Sequence, residues 1–150
     1  MAVNPQLNWR KPIDLPSGQK DPVLKSIPSE AGIYVFYREY GESVQVFYVG
    51  KATSLQGRVK TQLNNHSLME AIIDAKKGKR KLVWAVLKLR RGQTVDSALK
   101  SAERLMIRHY VEAGQPVHNI QGKRIPIQTL TNTNIKEVKH FVPSSVCVDA

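Results

Sequence analysis

Cysteine is almost missing from the 150-residue chain: its single residue, Cys147, lies near the C-terminus. Without a second thiol no disulfide can close within the chain, and a cytoplasmic location is the default expectation. Long apolar runs are missing too; none approaches the roughly 18 residues that a membrane span needs. The opening MAVNPQLNWRKPIDLPSGQK lacks the basic-then-apolar pattern of a secretory leader. Acids are scarce. Twelve Asp and Glu stand against 23 Lys and Arg, a formal net charge of +11. Such an imbalance costs self-repulsion in a compact fold and is most simply explained by a polyanionic partner.

The bases are also bunched. Between Lys76 and Arg91 lie Lys76, Lys77, Lys79, Arg80, Lys81, Lys88, Arg90 and Arg91, with no acid among them. Phosphates attract such a patch and release counterions on binding, so Lys76, Lys77, Lys79, Arg80, Lys81, Arg90 and Arg91 are candidate nucleic-acid contacts. The plainer alternative is a solvated face kept for solubility. An anionic membrane fits less well, because no basic amphipathic helix with bulky aromatics is evident.

Residues 1–30 hold Pro5, Pro12, Pro16, Pro22 and Pro28, which predicts an irregular arm over the domain. Ile33–Tyr37 and Val44–Val49 are β-branched and aromatic, and the REYGES segment between them reads as a turn, giving a β-hairpin. Thr53 or Ser54 can cap a helix running to about Asn65, with Leu55, Val59 and Leu63 at helical spacing. A short helix over Leu68–Lys77 is expected next, ended by Gly78. Lys81–Leu89 is nearly continuous apolar sequence and predicts a central strand buried on both faces. Val95–Glu112 gives the clearest helix, stopped by Gly114. Gly122–Leu130 offers one more strand, and the last twenty residues show no periodicity. The order β-β-α-α-β-α predicts a small α+β (mixed α/β) domain over residues 31–122, with a C-terminal extension over 123–150.

One carboxylate is out of place. On a helical wheel Glu103 falls among Leu99, Ile107 and Tyr110, inside the apolar arc, while Lys100, Arg104 and Arg108 point elsewhere. A buried carboxylate is costly unless it meets a cation or a metal ion; an internal salt bridge, for instance to Arg58, would satisfy it equally. Tyr34, Tyr48, Lys51 and Arg58 sit at strand ends or a helix edge from which they can converge with Glu103. His109 and His118 lack zinc-site spacing, and one cysteine does not complete a set.

At these residues the chain resembles a known family. Gly32-Ile33-Tyr34, thirteen residues, then Tyr48-Val49-Gly50 is similar to the paired signature of the GIY-YIG nucleases. The continuation YVGKATSLQGRV (Tyr48–Val59) looks most like the N-terminal endonuclease domain of bacterial excinuclease C. Glu103 on a helix, followed by Pro116 and Asn119, matches the family's helix glutamate and closing asparagine. The resemblance runs from about Ala31 to Asn119.

It implies a three-stranded, mainly antiparallel sheet flanked by helices and a metal-dependent endonuclease hydrolysing DNA phosphodiesters. Tyr34, Tyr48, Lys51, Arg58 and Glu103 would be catalytic, with Glu103 holding one Mg²⁺ or Mn²⁺. Gly32, Gly50 and Asn119 would support the site. Either tyrosine could be the general base, Tyr34 being preferred, with Lys51 favouring the phenolate. Where the family often carries a His or Tyr one turn after the arginine, this chain has Gln62; His66 is then a candidate second base. Other readings of the same residues are a catalytically inactive nucleic-acid-binding module and a nuclease toxin or defence effector. A protein partner could supply substrate recognition.

Overall fold

The computed structural model describes residues 6–15, 25–63, 78–89, 92–114, 128–133, 138, 141–143 and 145–148. The strands are β1 (Gln6–Trp9), β2 (Ile13–Asp14), β3 (Gly32–Tyr40), β4 (Ser43–Ala52), β5 (Lys79–Lys88), β6 (Gln128–Thr133) and β7 (Ser145–Val148). The helices are α1 (Leu55–Leu63) and α2 (Val95–Glu112). The fold is α+β. The helix expected over Leu68–Lys77 lies outside the described residues.

The hairpin forms as its sequence asks. Gly41, at φ +60°, takes the first position of a two-residue turn between Tyr40 and Ser43, where a positive φ is required. The strands run longer than Ile33–Tyr37 and Val44–Val49 because the charged residues near the turn also pair. β5 joins β3 on its other side, antiparallel throughout. Its residues Leu82–Val86 are all buried, as a strand covered on both faces requires.

The sheet does not stop at three strands. Among the described residues seven strands pair, in the order β4-β3-β5-β1-β6-β7, with β2 also on β5. The arm expected to be irregular supplies β1 and β2, both antiparallel to β5. Its prolines permit this because Pro12 falls between the two strands and Pro5 before β1. Two segments of the C-terminal extension also join the sheet: β6 pairs parallel to β1 and antiparallel to β7. Buried Trp9 donates its indole N–H to Asn132 Oδ1 at 2.9 Å, tying the two ends of the chain together.

Alternation along the strands sends side chains to two faces. On one, Ile33, Val35, Tyr37, Val49, Val83 and Ala85 pack with Leu99, Ala102, Leu105 and Met106 of α2. On the other, Tyr34, Phe36, Leu82, Trp84 and Val86 pack with Leu55, Val59 and Leu63 of α1. Each large apolar side chain so buried contributes roughly 1.5–3 kcal/mol.

A bulge decides what the hairpin presents. The pairing shifts between Phe36 and Tyr37, so that Tyr37 faces Val46 and Phe36 faces Tyr48, with Phe47 as the extra residue. Without that residue Tyr48 would oppose Val35 and point to the α2 face. With it, Tyr48 and Gly50 join Tyr34 on the α1 face.

Candidate active site

Ser54 caps α1, its hydroxyl accepting from Gly57 N–H at 3.4 Å. The first two helical N–H groups are taken by chain carbonyls: Leu55 N–H donates to Glu30 at 2.9 Å, and Gln56 N–H to Pro28 at 3.0 Å. The end of the N-terminal arm thus closes the helix terminus. An anion approaching here would be met by side chains and not by free backbone donors.

One and two turns into α1, Arg58 and Gln62 meet the hairpin tyrosines. Gln62 Nε2 donates to the Tyr34 hydroxyl at 2.9 Å and to the Tyr48 hydroxyl at 3.1 Å. The two rings stack with centroids 6.0 Å apart and planes 16° from parallel. Exposed Arg58 also hydrogen-bonds Tyr34, and that bond is the first reason its guanidinium is held even more firmly in its charged form. Gly50 makes the arrangement feasible, since a Cβ there would overlap the Tyr34 ring and hydroxyl; a Cβ on Gly32 would strike the Ala85 carbonyl of β5.

Burial pushes the Tyr34 hydroxyl up to about 12, against the opposing pull of the Gln62 and Arg58 hydrogen bonds. Burial thus works against a Tyr34 phenolate: its ring is fully buried, and an ion there loses its water. Lys51 does not help. It faces Ile33 across the hairpin, one residue out of step with Tyr48 and Gly50, and so sits on the α2 side of the sheet.

A cleft of about 360 Å³ opens where β4 ends. Lys51, Thr53, Ser54, Gly57, Arg58 and Thr61 line it from one side, Asp96 and Leu99 of α2 from the other. Lys51 and Arg58, from opposite faces of the sheet, thus meet around its edge. With two cations and three hydroxyls against one carboxylate, Asp96, itself paired with Lys100 at 3.4 Å, the cleft can receive an anionic oxygen cluster such as a phosphodiester.

No family model, curated protein or solved structure matches the chain.

Glu103 is 7% exposed, as its place in the apolar arc of α2 predicted. It lies one turn beyond Leu99, deeper along the helix than the part that walls the cleft. Among the described residues no three His, Cys, Asp or Glu side chains gather. Asp96 lines the cleft, whereas Glu103, two turns further along the same helix, does not, and α2 packs on the sheet face opposite Tyr34 and Tyr48. A single carboxylate can serve only a hard ion that keeps most of its waters, whereas zinc needs a fuller set of His or Cys ligands.

The basic run is only partly described. Lys79 is exposed, whereas Lys81 is held near Asp14 at 3.8 Å and Glu39 at 3.9 Å. Lys81 is thus less available to a polyanion than its place in the run suggested. Lys76, Lys77, Arg90, Arg91, His66 and Asn119 lie outside the described residues.

Asp96 was missed in the sequence, and Gln62 was noted there only as a departure from the family's His or Tyr. Gln62 occupies an apolar position of α1 with Leu55, Val59 and Leu63, the same out-of-place signal that singled out Glu103. Asp96 shares the i, i+3, i+7 line of Leu99 and Glu103, which its exposure at the helix start obscured.

Proposed function

We propose that the protein is a metal-dependent endonuclease that hydrolyses DNA phosphodiesters with a site of the GIY-YIG kind. The observation that carries it is the meeting of Tyr34, Tyr48 and Arg58 through hydrogen bonds beside a cation-lined cleft. Those residues lie on two strands and a helix. A fold released from chemistry has no need to bring them together.

Hydrolysis requires a deprotonated water, in-line approach, stabilisation of developing charge and neutralisation of the leaving oxygen. Arg58 offers a planar fork to the phosphate oxygens, and Lys51 adds a second cation to the same cleft. Tyr34, held neutral by burial, acts as a hydrogen-bonding partner. The base role passes to Tyr48, which is only half-buried and can reach water. Glu103 would hold one Mg²⁺ or Mn²⁺, which when bound supplies positive charge at the scissile phosphate.

A second reading has its own support. Gln62 cannot give or take a proton at any ordinary pH, and metal-capable side chains are few among the described residues; both suit a nucleic-acid-binding module without activity. Nicking of supercoiled plasmid with Mg²⁺ and with EDTA separates the two. Metal-dependent nicking by the parent that disappears in Arg58→Ala supports the nuclease. DNA retention without nicking at any Mg²⁺ or Mn²⁺ concentration supports the module.

A further inference from the structure

The hydrogen bonds of Gln62 go beyond holding a helix on a sheet. Its amide nitrogen carries two N–H groups, and the two bonds run to two different phenol oxygens, 2.9 and 3.1 Å away. Both hydroxyls therefore act as acceptors toward the amide. A hydroxyl that accepts along one direction must aim its own proton along another. The side chain is 3% exposed, so water does not compete for these bonds.

We propose, on the nuclease reading above, that Gln62 is a positioning residue: one amide ties the Tyr34 and Tyr48 oxygens into a single unit and turns both phenolic protons away from it. Because an amide does not titrate, the unit has no proton relay through α1. Tyr48 then works as an isolated base, and the phenolate it forms keeps the Gln62 donor and the neighbouring Arg58 charge.

Among the described residues, the surroundings of the pair are otherwise uncharged. On this face β3 gives Tyr34 and Phe36, β4 gives Tyr48 and Gly50, and β5 gives Leu82 and Trp84; α1 contributes Arg58 as the charged group beside the phenols. The hydrogen bonds of Gln62 and Arg58 both favour the ionised form of Tyr34, against the larger effect of burial. A carboxylate at position 62 would reverse the first of these effects, and a methionine would remove it.

The test uses the full chain with tyrosine labelled at Cζ. Gln62→Met should move the Tyr34 and Tyr48 carbon resonances together, leaving Tyr37 and Tyr110 on the opposite face unchanged. Should Gln62→Met fail to fold, Gln62→Glu keeps the shape and exchanges the donor for an acceptor, so both resonances must again move. A shift of only one, or of neither, overturns the clamp.

A second arm follows cleavage against pH. Gln62→Glu sets a carboxylate against the phenols and should carry the rising limb toward alkali, lowering the rate at neutral pH while the plateau rate survives. An equal loss at every pH is what a merely structural glutamine would give, and it overturns the positioning role. A parent protein that never cuts, yet shows both resonance shifts, would sink the nuclease reading while upholding the clamp.

Discussion

Gly50 lies directly across the hairpin from Tyr34, and the ring occupies the space that any side chain on Gly50 would need. The second glycine of the paired signature thus has a steric reason: it lets the first tyrosine lie over the neighbouring strand. Gly32 has a different one, since its missing Cβ admits the Ala85 carbonyl.

Substituting either glycine should therefore cost stability by separate routes. Gly50→Ala pushes a ring and is expected to lower unfolding free energy by about 1–3 kcal/mol. Gly32→Ala pushes a backbone carbonyl that cannot rotate aside, so it should cost more. Urea unfolding followed by circular dichroism measures both, and a Gly50→Ala protein as stable as the parent would contradict the packing.

Arg58 is exposed, so its loss should leave the fold intact and strike activity alone. Arg58→Ala is expected to slow plasmid cleavage by about 10²–10³, comparable to deleting one transition-state donor. Arg58→Lys should rescue little, because the planar fork is lost although the charge remains. Full activity in Arg58→Lys would mean that the charge alone matters.

Glu103→Gln should abolish cleavage and spare DNA binding, measured by nicking and by fluorescence anisotropy on one preparation. Calorimetric titration of the DNA-free parent with Mg²⁺ should show only weak binding, as a sparse carboxylate site implies. Tight binding without DNA, or undiminished cleavage by Glu103→Gln, would remove Glu103 as the metal ligand.

Alkaline stability should carry the mark of Tyr34. Its folded value of about 12 lies above the ordinary 10, so the native state holds a proton that the unfolded chain has lost between those values. Stability is thus fully present below pH 10 and falls as pH rises toward 12. Burial raises Tyr37 and Tyr110 in the same direction. Urea midpoints measured from pH 9 to 11 should decline, and Tyr34→Phe should flatten the decline; an unchanged slope would deny the burial effect.

The clasp between the chain ends is open to test as well. Asn132 accepts from Trp9 and donates to the Pro143 carbonyl, each at 2.9 Å. Asn132→Leu leaves both groups without that partner and should cost about 1–3 kcal/mol for each one left unsatisfied. Equal stability of Asn132→Leu and parent would show that the two ends are held by apolar packing alone.

Local chemistry settled much of this molecule from the residues themselves. The spacing of Ala98, Leu99, Ala102, Leu105, Met106 and Tyr110 defined α2 at both ends, and the same spacing exposed Glu103 as a carboxylate inside an apolar arc. Val and aromatic residues around Gly41 defined the hairpin, because a turn glycine and strand-forming flanks act over a few residues. Pairing between distant segments was decided only in three dimensions. Gln6–Trp9 lacks a strong alternating pattern of its own and becomes a strand because β5 offers an edge, and the strand expected over Gly122–Leu130 is described at Gln128–Thr133, where β1 offers the next edge. The bulge at Phe47 is likewise invisible in composition. It arises from how two strands fit, yet it sets the face on which Tyr48 emerges, and so whether one amide can hold both phenols.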